Sequence, residues 1–416
     1  ISLGSRAGLT QAFVIDEVEA VAYVPNTMRN SDNQNLVFDN TVFPFVSIID
    51  LNELIHLRGD RIALDIIDKP VGMPLEAALQ NSILYVANAA SNDLTIIDLK
   101  SKKALAHVEV GSFPTGIDIS ESGGEIYIHN SLDGTISVMD TDSFIVGSVI
   151  ESTVIPVSSA VLNGQKLFHS SDDTRMSKDQ WIACATCHFG GEADNVNWFF
   201  PDGLRNTPSL LGVTDTGPFH WSGNLDEIQD VEDTIRKLQG GTGLVFGSSN
   251  CLPSCDTAEK NAGRSSDLDD ITAYLGSLKF STAYQKSNNT NEVDSISRGR
   301  ELFFDKNVGC SDCHKPPFYM DNKNHMMPQV NSTSKSLNTP SLMRLSISSP
   351  YLHDGSARTL PEVLTSAPLN SVHGVQESLT SQRLTDLIAF TEAIEPPTQM
   401  VVEREYSELT VPQKFD

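Results

Sequence analysis

Two five-residue phrases constrain this chain more than anything else in it. Cys184-Ala-Thr-Cys187-His188 and Cys310-Ser-Asp-Cys313-His314 both read C-x-x-C-H. At that spacing two thiols add to the two vinyl groups of one porphyrin, and the adjacent imidazole turns onto the iron as its proximal ligand. Two C-x-x-C pairs would also supply the four ligands of a structural zinc site. The histidine directly after each pair argues against zinc. So does the Gly-x-x-Leu-Phe lead-in before each motif, Gly164–Phe168 and Gly299–Phe303. The expected cofactors are two covalently bound haem c groups.

The lead-ins and motifs define two copies of one plan. The first runs from Gly164 through Cys184 to Leu268–Leu278, and the second from Gly299 through Cys310 to Leu384–Phe390. Both closing stretches carry apolar residues at helical spacing, with Ser266 and Ser381 expected as N-caps. The polar stretch Ser287–Asn291 reads as the linker between copies. Covalent haem is attached outside the cytoplasm, so a periplasmic or extracellular protein is expected. No signal peptide is visible at Ile1, so a processed or incomplete chain is expected. Cys251 and Cys255 lack a following histidine; they read as a short-loop disulfide or a redox pair.

The first 150 residues have another texture. Period-2 stretches of Val, Ile and Tyr alternate with Asn, Asp, Gly and Ser turns. They repeat: Ile83–Asn88 with Leu94–Asp98 returns as Ile126–Asn130 with Ile136–Asp140, and Tyr85 lies 42 positions before Tyr127. An earlier copy, Ala22–Asn26 and Val46–Asp50, has about fourteen extra residues between its strands. Repeats of that length built from short strands indicate propeller blades. The phrases resemble the YVTN family of β-propeller repeats. About three blades are visible, fewer than a closed ring needs, so further blades are expected from upstream residues or from another chain. The expected fold is therefore multidomain. Residues 1–155 form an all-β partial propeller. Two mainly α-helical cytochrome c-type domains follow, at 156–288 (the reactive haem) and 289–416 (the electron-transfer haem).

Charge narrows the partners. Asp and Glu number 54 against 29 Lys and Arg, a formal net charge of −25. Such a surface repels phosphate backbones, which argues against nucleic acid, and no apolar run is long enough for a membrane-spanning helix.

Particular phrases after each motif resemble the bacterial di-haem cytochrome c peroxidase family and its MauG-like relatives. After the first motif come Leu204-Arg-Asn-Thr-Pro208 and Phe219-His-Trp-Ser-Gly223. After the second come Asn338-Thr-Pro-Ser-Leu342, Pro350-Tyr-Leu-His-Asp-Gly355 and Thr359-Leu-Pro-Glu-Val363. The resemblance covers roughly residues 160–395. It implies that the haem of Cys184, Cys187 and His188 cleaves hydrogen peroxide and that the haem of Cys310, Cys313 and His314 relays electrons. It further implies Trp221 as a conduit between them, and a calcium ion held by Asn206 with the backbone oxygens of Ser348 and Pro350. A glutamate after the Trp motif would move the proton; Glu232 fits best and Glu227 second. Electrons would come from a small cytochrome or cupredoxin, or, in a MauG-like reaction, from a residue of a partner protein. A third reading makes the chain a purely electron-transferring subunit docked through its propeller.

Axial ligation separates these readings, because peroxide needs an open sixth position. Phe189–Phe219 contains no histidine, so the first haem is expected five-coordinate or water-ligated, with His220 the first residue able to block it. At the second haem the family's Met or Tyr is replaced by Ala367. His373 is the expected substitute, with His325, Met326 and Met327 as rivals.

Overall fold

The computed structural model describes residues 1–33, 36–200, 203–245, 260–281, 290–329, 332–365, 379–397 and 400–402. The N-terminal region is all β, in three successive antiparallel sheets. The second is a four-stranded meander of Pro74–Gln80, Ile83–Asn88, Asp93–Asp98 and Lys103–Glu109. The third repeats it with Pro114–Ile119, Glu125–Asn130, Thr135–Asp140 and Val146–Glu151. The first is built round Val21–Arg29 and Val42–Asp50, paired from Val21 with Asp50 to Arg29 with Val42. Part of its insertion lengthens these strands to nine residues each, against six in the strands that match them.

Alternation along one strand builds two interfaces at once. From Ile83–Asn88, Leu84 and Val86 join Tyr23, Val46 and Ile48 of the first sheet. Tyr85 and Ala87, on the opposite face, join Ile126, Ile128 and Met139 of the third. Leu84, Val86 and Ala87 are wholly buried, and burying a side chain the size of Leu or Val stabilises by about 1.5–3 kcal/mol.

The repeated Asn of the strand phrase holds each sheet from inside. Asn26 Nδ2 donates to Ser47 Oγ (2.9 Å), Asn88 Nδ2 to Thr95 Oγ1 (2.9 Å), and Asn130 Nδ2 to Ser137 Oγ (2.9 Å). All three asparagines are fully buried, so each amide must find a partner on the neighbouring strand.

Helices begin where the texture changes. Helix α1 (Ser159–His169) is capped by Ser158, whose Oγ accepts from Val161 N at 3.3 Å. Its partner α2 (Ser266–Ser277) closes the first haem segment; α3 (Thr290–Phe303) and α4 (Ser381–Glu392) form the same pair in the second. The caps of α2 and α4 lie one residue earlier than expected. Ser265 Oγ accepts from Leu268 N and Thr380 Oγ1 from Arg383 N, because a cap must sit just outside the first helical residue.

Both pairs cross at a glycine. A Cβ on Gly164 would lie 1.8 Å from the Asp270 carbonyl oxygen, and a Cβ on Gly299 would lie 1.8 Å from that of Asp386. Four residues on, Phe168 packs on Tyr274 (ring centroids 5.1 Å apart) and Phe303 on Phe390 (5.2 Å).

The chain separates into two compact units. One comprises residues 1–207 and 225–275, and the other 208–224 and 276–416. This grouping cuts across the boundaries expected at 155 and 288. The sheets and the first haem segment share an apolar cluster, in which Val42 meets Trp181, Ile182 and Trp198, with Cys187 against it. The segment that carries Trp221 belongs with the second haem segment.

Candidate haem sites

Each C-x-x-C forms one helical turn, Cys184–Cys187 and Cys310–Cys313, with the following histidine at its C-cap. His188 N donates to Cys184 O and His314 N to Cys310 O, both at 3.0 Å. That turn brings two thiols and an imidazole onto one short ridge. All four sulfurs are unbridged. Burial raises the Cys184 and Cys187 thiols above their ordinary range, and pushes Cys310 up to about 11. Burial thus keeps these half-buried thiols neutral.

The His314 ring nitrogen Nδ1 lies 2.9 Å from the carbonyl oxygen of Tyr319. Such a bond fixes the tautomer in which Nε2 carries the lone pair that iron needs. The four thiols and two histidines therefore fit two haem c groups.

In the first segment Asp194 braces the loop that follows the motif. It accepts from Trp198 Nε1 (3.0 Å) and Val196 N (2.9 Å), and Arg29 of the first sheet reaches it at 3.5 Å. Sequence reasoning missed Asp194, which stands among Glu192, Asn195 and Asn197 and looks there like any polar loop residue.

The two glutamates expected to move protons differ. Glu232 is fully buried in the helix Val231–Lys237. Its Oε1 accepts from Arg236 Nε (2.7 Å) and Val245 N (3.2 Å), and its Oε2 from Leu244 N (2.8 Å). Both oxygens are occupied, so a proton reaching Glu232 must displace a donor. Glu227 is half-buried. Its Oε1 holds the turn at Asn261 and Ala262, the latter N at 2.9 Å, and its Oε2 accepts no bond among the described residues.

Trp221 lies in the second unit beside a residue of the second phrase set. Its ring meets His353 of Pro350–Gly355 edge to face, with centroids 6.4 Å apart. Its carbonyl accepts from Asn338 N at 2.8 Å. Asn338 Nδ2 donates to Pro218 O (2.6 Å), Asn324 Nδ2 to Ser222 O (2.7 Å), and Asn322 Nδ2 to Gly217 O. Three asparagines thus pin the Trp loop. His220 is exposed, with Nδ1 3.1 Å from Asn224 Oδ1. Among the rivals for the second iron, His325 Nε2 lies 2.9 Å from Asp321 Oδ2 and Met326 is exposed. His373, Ala367, Cys251 and Cys255 lie outside the described residues. Asn206 is buried at the end of the strand Gly203–Asn206, in the first unit. Ser348 and Pro350 lie in the second.

The family model of the di-haem cytochrome c peroxidases matches residues 294–399, the second haem segment. Two proteins are similar over more than half of the chain. The hydrazine synthase subunit gamma of Kuenenia stuttgartiensis is 23% identical over 290 residues, 57% of this chain and 78% of its own. The methylamine utilization protein MauG of Methylophilus methylotrophus is 23% identical over 276 residues, 56% of this chain and 81% of its own. The haem region belongs to the di-haem cytochrome c peroxidase and MauG family. The protein is an oxidoreductase of that family. Among solved structures, a MauG-like protein associated with microbial copper homeostasis is 21% identical, with a TM-score of 0.41, over 59% of this chain and 91% of its own. Among the described residues no helix is long and apolar enough to cross a membrane.

The family plan also exposes a difference between its two copies here. Where the second has Phe304 and Phe390, with rings 6.4 Å apart, the first has His169 and Tyr274, with rings 5.8 Å apart. Sequence reasoning passed over both; aligning the two Gly-x-x-Leu-Phe lead-ins would have found His169.

Proposed function

We propose that this oxidoreductase reduces hydrogen peroxide at the haem of Cys184, Cys187 and His188, with electrons relayed through the haem of Cys310, Cys313 and His314. One observation carries the assignment of the first site. No histidine follows its motif as far as Phe219, and His220 is engaged with Asn224. A haem iron with an open axial position supplies peroxide binding and activation. His314 and His373 would together hold the second haem, which would supply electron transfer.

Of the two glutamates, Glu227 is the better proton carrier, because it keeps one oxygen available while Glu232 is committed to Arg236 and to the 244–245 backbone. Trp221, braced by His353, is the electron conduit.

The sheets of residues 1–155 would be blades of a β-propeller completed by further residues or another chain. Export to the periplasm suits covalent haem. The net charge of −25 would steer a basic cytochrome or cupredoxin donor. A second reading, oxidation of a residue on a partner protein, is favoured by similarity to MauG over 81% of that protein's length. It shares peroxide as oxidant.

Spin state is the test. The ferric protein should contain one high-spin and one low-spin haem, and added peroxide should change the high-spin spectrum first. Two low-spin haems and a spectrum indifferent to peroxide would leave only electron transfer. Glu227→Gln should slow peroxide consumption by roughly 10²-fold or more, as loss of general acid–base catalysis does. Glu232→Gln should act mainly on stability; the reverse ranking would return the proton to Glu232.

A further inference from the structure

In the first unit a cleft of about 170 Å³ lies between the third sheet and helix α1. Its lining includes Ser112, Phe113, Leu132, Lys166, His169 and Ser170. His169 is 5% exposed, and its Nδ1 lies 2.8 Å from the carbonyl of Gln165, one turn back on its own helix. That contact makes Nδ1 the protonated nitrogen. The Nε2 lone pair has no partner among the described residues, and the ring lines the cleft. Burial holds the imidazole neutral, with its pKa lowered to about 4.

Packing does not require a histidine here. The second haem segment solves the same helix crossing with Phe304. Nor does the cleft offer unbalanced charge. Lys166 Nζ lies 2.6 Å from Asp133, and Asp173, which also lines the cleft, is engaged by Arg175 at 2.6 Å. What remains is a mixed wall, in which Phe113, Leu132 and Leu167 stand beside the polar side chains of Asn92, Ser112 and Ser170 and the His169 ring. That chemistry suits a small neutral ring with a hydroxyl able to donate to His169 Nε2. A volume of about 150 Å³ is enough for benzene, so the cleft has room for a phenol.

We propose that this cleft binds a small phenol or hydroquinone, its hydroxyl donating to His169 Nε2 and its ring against Phe113, as a reductant for the peroxide reaction. This rests on the peroxidase reading for its role but not for binding. Two phenols, each losing one electron and one proton to become a phenoxyl radical, balance the reduction of one peroxide to two waters. His169 Nε2 is placed to take the phenolic proton. The His169 ring packs on Tyr274, 5.8 Å between centroids.

The ferric, fully loaded protein is titrated with 4-fluorophenol and with fluorobenzene, read by fluorine NMR without peroxide. We expect saturable binding of the phenol and at least tenfold weaker binding of fluorobenzene. His169→Phe, copying the second segment, should weaken the phenol at least tenfold. Leu132→Trp, which fills the cleft and leaves the histidine, should abolish binding. Each variant is checked for two haems by its spectrum. Equal binding of the two ligands, or phenol binding untouched by both variants, overturns the site. Binding as expected in a protein that ignores peroxide would sink the peroxidase reading and leave the site standing.

Discussion

The two haem segments are built on one plan and finished differently. Each crosses its helices at a glycine with no room for a methyl group, Gly164 under Asp270 and Gly299 under Asp386. Each places an aromatic pair four residues on. Around that frame the second has an apolar core of Phe303, Leu387, Phe390 and Ile394, with Cys310 against it, and a buried Asp386 paired with Arg298. The first carries buried polar groups, among them His169, Gln239, Glu232, Asp230 and Asn261. Buried polar atoms cost stability unless each is bonded. Here Asn261 Nδ2 bonds Asp230 (2.8 Å), and Gln239 Nε2 reaches Cys184 Sγ at 3.7 Å. An electron relay needs only a rigid pocket, while chemistry on a small oxygen species needs proton-handling groups nearby. Among the described residues more of these groups lie on the side where that chemistry is proposed.

The largest expected effect tests this division directly. Replacing both cysteines of one motif with serine should halve the haem content in either case. Cys184→Ser with Cys187→Ser should abolish the spectral response to peroxide. Cys310→Ser with Cys313→Ser should leave that response and stop multiple turnover. A response that survives the first pair and dies with the second would exchange the roles.

The glycine crossings come next. Gly164→Ala and Gly299→Ala each force a methyl group against backbone that has no rotamer to yield, which is overpacking at its upper range, about 3 kcal/mol. Unfolding followed at each haem should show each substitution weakening its own segment. A neutral result at either would mean that the helices are free to part.

What was legible in advance divides along the same lines. Contiguous chemistry was legible: the C-x-x-C-H motifs, the strand phrases, the Gly-x-x-Leu-Phe lead-ins. A periodic pattern needs only neighbours in sequence to be read. The helix caps were misplaced by one, because Ser265 and Ser266 are equally good caps until a hydrogen bond chooses between them. Contacts between distant residues were not legible. Glu232 has a visible partner at i+4 in Arg236, but its other donors, the N–H groups of Leu244 and Val245, come from a separate loop. The meeting of Trp221 with His353 was equally hidden, although both phrases had been singled out, since nothing in either states that it packs on the other.

His169 provides the finest test, because it separates the segments by pH alone. Its ordinary pKa of 6.5 is lowered by burial to about 4 in the folded protein. Between those values the unfolded chain binds a proton that the folded chain refuses. Stability therefore rises with pH across this window, is complete above about pH 6.5, and is lost as pH falls toward 4. The full shift corresponds to about 3 kcal/mol. Denaturant titrations at pH 7 and 4.5, followed at the first haem, should show this loss in the parent protein. His169→Phe should remove that contribution. The second segment, with Phe304 at this place, has no equivalent, and its Asp386 is held low by the Arg298 guanidinium, with Ser295 and Gln382 adding hydrogen bonds. That carboxylate's contribution is present above the ordinary carboxylate range and is lost only in stronger acid. If His169→Phe leaves the acid slope of the first segment unchanged, the ring is not a buried neutral base, and the asymmetry drawn between the two segments loses its most specific support.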